Sequence, residues 1–312
     1  MKKVTKIFMI IVAVAISTVY TADAQISINT DGTDPDASAM LDVKSTDKGM
    51  LIPRMTQTQM DSITNPATGL SVYNTDMDAV CYFNGTDWDC MDAQSLFNKT
   101  FVCGQNLKDF RDKQSYSTVQ IGTQCWMAEN LNIGTMVNGS VSQTDNSTIE
   151  KYCSADLTSN CDTYGGLYQW NEMMQYDSTE GIQGICPSGW HLPTDAEYKT
   201  LEMYLGMTSS DANNTGSRGT NEGSKLAGNA SLWTNGNLDS NTDFGTSGFT
   251  GLPGGDRSTN GSFGYLAHVT YFWSSSENGS DGWFRHLSYN SARVDRNYID
   301  QAYGFSVRCV RN

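Results

Sequence analysis

The side chains best able to do chemistry in this chain are three histidines, 34 carboxylates and eight cysteines. His191, His268 and His286 form no HExxH pair that would set two zinc ligands on one helix face, and no GxSxG elbow presents a serine. A glycosidase needs only two carboxylates, but no pair is singled out here by its spacing, so the chain is expected to be non-catalytic. The tract DSNTDFG sets Asp239, Asn241 and Asp243 at alternating positions, as calcium loops do. Phe244 stands where an EF-hand has glycine and Thr250 where it has the closing glutamate. A solvated turn is therefore the first expectation, structural calcium the second, and no other cofactor is expected.

A denser group lies toward the C-terminus. Trp273, Trp283, Phe284, Tyr289, Tyr298 and Tyr303 stand close in sequence to Asp256, Arg257, Glu277, Arg285 and Arg293. Flat rings cover apolar faces of a ligand while carboxylates and guanidinium groups fix its orientation, a mixture suited to sugars or peptide surfaces. Both tryptophans fall within apparent strands and are expected in the core. Tyr289, Tyr298 and Asp256, with Arg257 and Arg285, are the candidate ligand contacts.

The elements that must position them start at residues 186–198, CPSGWHLPTDAEY. Thr194 and Glu197 make a capping box, Asp195 adds a negative charge at the positive end of the helix, and Tyr198, Leu201 and Leu205 recur at helical spacing until Gly206 offers a stop. An amphipathic helix of about three turns is predicted, entered from an extended segment that contains His191 as a structural residue. Leu167, Trp170, Met173 and Met174 predict a second buried helix. Val119 and Ile121, the Gly122-Thr123 turn and residues 124–127 predict a hairpin, and YFWSSSE, WFRHLSY and YGFSVRCVRN predict strands in the final third.

Residues 1–24 have the parts of a cleaved secretory signal: Lys2, Lys3 and Lys6, an apolar run too short to span a bilayer, and Ala22-Asp23-Ala24 before Gln25. The mature chain is expected to be secreted or held at the cell surface, with no membrane span. Its eight cysteines then read as bridges. Nearest-neighbour economy pairs Cys81 with Cys90, Cys103 with Cys125, Cys153 with Cys161 and Cys186 with Cys309, among about 105 pairings. The formal charge is −14, and −16 without the signal, which argues against nucleic acid and anionic membrane surfaces as partners because phosphate binding needs lysine and arginine.

Residues 25–91 read as a β-rich stalk or assembly segment. Their last strands form a hairpin turned at Asn84-Gly85, and residues 92–100 read as a linker. The patterns KGMLIPRMT and PATGLSVYNT resemble the N-terminal segments of exported bacterial surface proteins and phage tail-fibre-like proteins, which implies homo-oligomerisation through this segment.

From residue 101 to 312 six motifs occur in order: IGTQCWMAENLN, YGGLYQWNE, CPSGWHLPTDAEYKTL, SGFTGLPGGDR, FWSSSE and GFSVRCVRN. This region is similar to the Fibrobacter succinogenes major paralogous domain family. LPTDAEY with GFSVRCVR also resembles the formylglycine-generating enzyme family, whose fold is a variant of the C-type lectin-like fold. The resemblance implies an α+β domain with two helices around a loop-rich antiparallel sheet, disulfide-stapled and with its ends together. It does not carry the oxidase activity, because Cys309 is the only cysteine after Cys186 and no reactive pair can be placed in the last third. The EPN, QPD and WND signatures of calcium-dependent sugar binding are absent too. The expected function is a non-catalytic recognition or adhesion module for a glycan or a protein surface, with a structural subunit of an extracellular assembly as the alternative.

Overall fold

A computed structural model describes residues 25–91 and 101–311; the expected signal at 1–24 and linker at 92–100 lie outside the described residues. The described residues divide into two compact units, with the boundary between Asp89 and Cys90.

In the first unit, Ile26–Ile28 pairs in parallel with Leu41–Val43. A four-stranded sheet follows in the order Arg54–Met55, Ser71–Asn74, Ala79–Phe83, Trp88–Met91. A short helix, Gln57–Asp61, starts where Thr56 accepts from the Gln59 backbone N–H and Gln59 caps Thr56 in return. The predicted hairpin is present, turned by Gly85 at φ +107°.

The second unit is a mixed α+β domain built mostly of strands. Its largest sheet runs Gly216–Arg218, Ser291–Asp300, Asp281–Ser288, Val269–Asn278, all antiparallel. Alternating side chains of this sheet feed two cores. Trp273 and Phe284 enter one with Trp170, Trp190 and Phe305, while Phe272, Leu287 and Val294 enter the other with Trp126, Tyr198 and Leu201. A second sheet sets Val310–Arg311 between Trp190–His191 and the expected hairpin of Thr118–Ile121 and Gln124–Met127. A third places Gly304–Phe305 between Tyr168–Gln169 and Asp256–Arg257.

The capping-box helix spans Asp195–Tyr204 with both reciprocal bonds present, ending before Gly206 at φ +118°. Two expectations are corrected. The second helix is only Trp170–Met173, because Tyr168–Gln169 is drawn out as a strand against Gly304–Phe305. Short helices at Thr158–Tyr164, Ser209–Asn213 and Glu222–Leu226 make the helix count larger than two. The strand Ser291–Asp300 was not expected, since the inward position next to Val294 is the charged Arg296, which hides the alternation.

Bridges join Cys103 to Cys125, Cys153 to Cys161 and Cys186 to Cys309. Cys81 and Cys90 are also disulfide-bonded, and no cysteine is free among the described residues. Fully oxidised cysteines fit an exported protein. Among the described residues no helix is long and apolar enough to cross a membrane.

Candidate functional site

The five candidate contacts do not converge. Arg285 is 1% exposed: its Nε donates to Glu202 Oε1 at 2.6 Å and its Nη1 to Asp195 Oδ1 at 2.8 Å, with its guanidinium 5.0 Å from the Tyr198 ring centre. Arg257 is buried as well, donating to Gly139 O and Ala302 O beneath the Tyr152 ring. Both guanidinium groups are used up inside the domain and cannot orient a surface ligand. Tyr298 is exposed as expected but packs edge-on against Trp283, at the opposite end of the strand pair from Tyr289. Trp283 is only half-buried, one face of its ring covered by Arg296 at 3.7 Å, whereas Trp273 is fully in the core.

Asp256 is buried rather than exposed. It belongs to a row of titratable groups laid across neighbouring strands. His286 stacks on Tyr271 at 4.6 Å, its Nδ1 lies 3.3 Å from Asp295 Oδ2, and Tyr271 stacks on Phe305 on its other face. Burial pushes the Asp256 carboxyl up, opposed by the Ser258 hydroxyl and the charge of His286. Asp256 Oδ1 and His286 Nε2 are both buried without a hydrogen-bond partner. Asp256 is the buried end of this row, while Tyr271, His286 and Asp295 are each partly exposed.

Tyr289 does line an open pocket. With Tyr265, His268, Val269 and Ser288 it bounds about 530 Å³ next to this row. Tyr265 is 66% exposed, and His268 meets Tyr289 edge to face at 5.1 Å.

The calcium candidates have other partners. Asp239 Oδ1 accepts from Gly236 N, Asn241 Oδ1 from Asp243 N, and Asp243 Oδ2 from Asn221 Nδ2. Asp239 and Asn241 close local turns and Asp243 ties its loop to Asn221, and no cluster of three metal-ligating side chains is found among the described residues.

The densest electrostatic feature escaped sequence reasoning. Asp195 receives Arg285 Nη1 and two bonds from Arg296, while Glu202 receives Arg285 Nε and both bonds from Arg218 Nη2. Burial opposes ionisation of Asp195, and the bonds and charges of Arg296 and Arg285 overcome it, holding the carboxyl well below the usual range. The signal was available: residues 195, 198, 202 and 205 share one stripe of the helix, so two carboxylates lie on its apolar face. His191, as expected, is structural; its Nε2 meets Glu197 Oε1 at 2.8 Å.

The N-terminal unit carries a different kind of surface. In the Ile26–Ile28 and Leu41–Val43 pair, Ile26 faces Leu41 and Ile28 faces Val43, which sets four apolar side chains on one face. All four are 42–58% exposed, and Leu51 is 82% exposed. Across residues 25–91 ten large apolar side chains are exposed, against only Met60, Val72, Ala79 and Cys81 buried.

Residues 119–311 match the Fibrobacter succinogenes major domain. The chain belongs to that family. Residues 27–102 match a phage tail like trimerisation region. No curated protein and no solved structure matches the chain. In this member of the Fibrobacter succinogenes major domain family, the motif residues hold the frame. Trp126 and Trp190 are core, Cys186 and Cys309 are bridged, and Asp195 anchors two arginines. Arg308 is buried with its guanidinium donating to Asn130 Oδ1 and to Phe249 O and Thr250 O.

Proposed function

We propose that this protein is a non-catalytic subunit of an extracellular assembly, exported by a cleaved leader, in which the N-terminal unit associates with two further copies and displays the C-terminal domain. The observation that carries this reading is the apolar face of Ile26, Ile28, Leu41 and Val43 within the trimerisation-region match. A two-stranded pair with one face bare is marginal in water by itself, and contiguous exposed apolar surface marks an interaction site. Completing burial of four half-exposed aliphatic side chains is worth about 1 kcal/mol each, about 4 kcal/mol per copy. Substituting Ile28→Asp and Leu41→Asp together should shift the mature protein to a later elution on size exclusion. Unchanged elution would sink the reading.

The Tyr265, His268 and Tyr289 pocket favours recognition as the displayed domain's role, with a glycan or protein surface as ligand. We take the domain's fold as a variant of the C-type lectin-like fold, a reading supported by the last strand, Val310–Arg311, pairing in mid-sheet and by the Cys186–Cys309 staple.

A further inference from the structure

The buried ion cluster is unbalanced. Three guanidinium groups, Arg218, Arg285 and Arg296, share two carboxylates, Asp195 and Glu202, and Lys199 adds a cation 3.2 Å from Asp195 Oδ2. Other carboxylates nearby are bonded to other groups. Asp295 is turned to the opposite face of the sheet, onto His286. Glu222 accepts the backbone N–H groups of Thr220 and Asn221, and Asp211 accepts from the Thr208 hydroxyl. Burial and the charges of Arg285 and Arg296 act to lower the Arg218 pKa, while Glu202 acts to raise it.

One of these arginines reaches the wall of a cleft. Arg218, 4% exposed and with its Nε unpartnered, lines a cleft of about 480 Å³. Around it stand Asp211, whose carboxylate accepts from the Thr208 hydroxyl, Asn214, Thr215, Ser217 and Arg293, the last exposed and with its guanidinium unbonded among the described residues. Gly219, at φ +79°, lets the chain turn there without a side chain. On a chain of net charge −14 the general field repels anions, so a local excess of guanidinium is what could hold one. Guanidinium beside hydroxyl and amide donors is the donor set that suits carboxylate or sulfate oxygens.

We propose that this cleft binds an oxyanion, the carboxylate or sulfate group of an acidic ligand, with Arg293 and Arg218 as the cationic contacts and Thr215 and Ser217 as hydroxyl donors. The site is separate from the Tyr289 pocket and independent of the assembly reading. A monomeric mass would sink that reading and leave this one standing.

The test is isothermal titration calorimetry of the mature chain at fixed ionic strength, with sodium sulfate, sodium glucuronate and glucose as three probes. At least one anion should bind saturably and glucose should not. Sulfate alone would assign an inorganic or sulfate-ester ligand, glucuronate alone a sugar acid. Arg293→Gln, a change at an exposed residue outside the buried ion cluster, should weaken the anion about tenfold, as loss of one charge-assisted bond does. Saturable binding of neither anion, equal binding of glucose, or unchanged affinity in the Arg293→Gln variant would overturn the proposal.

Discussion

Replacing Glu202 by glutamine keeps the side chain's size and removes its charge at the centre of the second core. Glu202 is 0% exposed and accepts at 3.0 and 2.8 Å from Arg218 and at 2.6 Å from Arg285. With the charge gone, three buried guanidinium groups face Asp195 alone, and the new amide N–H₂ can only donate toward groups that themselves only donate. Breaking a buried pair on one side costs about 3–5 kcal/mol, since the partner's desolvation is no longer offset. In a domain of this size each kcal/mol is about 2–4 °C of Tm, so Glu202→Gln should melt about 6–20 °C below the wild type. Urea unfolding of the oxidised mature chain would read the difference, with m unchanged. A double-mutant cycle sharpens the test: Arg218→Met should cost less in the Glu202→Gln background than alone, with a coupling of at least about 1 kcal/mol. A Glu202→Gln protein within about 1 kcal/mol of wild type, or strict additivity with Arg218→Met, would refute the claim that this cluster holds helix and sheet together.

Acid should act through Asp195. Its folded pKa lies below its unfolded value, so its contribution is present above about pH 4 and is lost as pH falls through the folded value. Asp195→Asn should therefore lower Tm at pH 7 and flatten the fall in Tm below about pH 4, measured by calorimetry across pH. The bridges should differ in weight. Closing the 123-residue step between Cys186 and Cys309 constrains the unfolded chain by about 5 kcal/mol, and the eight-residue step between Cys153 and Cys161 by about 2.5 kcal/mol. Paired Cys→Ala variants should rank in that order in urea midpoint, and a reversed ranking would contradict the loop-closure argument.

What could be read in the sequence followed from local physics. The Thr194 and Glu197 box, the Gly206 stop, the turn at Gly122-Thr123 and the pairing of Cys186 with Cys309 each depend on residues near in sequence or on cysteine arithmetic. The errors came where tertiary partners decide. Arg257 and Arg285 have the composition of ligand contacts, yet distant groups, Gly139 and Ala302 for one and Asp195 and Glu202 for the other, draw them inside. Asp256 is buried because its strand lies between Gly304–Phe305 and Phe263–Gly264 in an interior sheet, a pairing that short polar strands do not announce. Of the candidate aromatics Tyr289 lies at an open pocket, and the anion cleft around Arg218 joins residues from several elements with no shared motif.

The central claim, that the exposed apolar face of residues 26–43 is covered by other copies, is tested most directly by the solution mass of the unaltered mature chain. Sedimentation equilibrium over a range of concentrations should give three times the chain mass, persisting on dilution. A single-chain mass at every concentration would contradict the account and leave the apolar face unexplained.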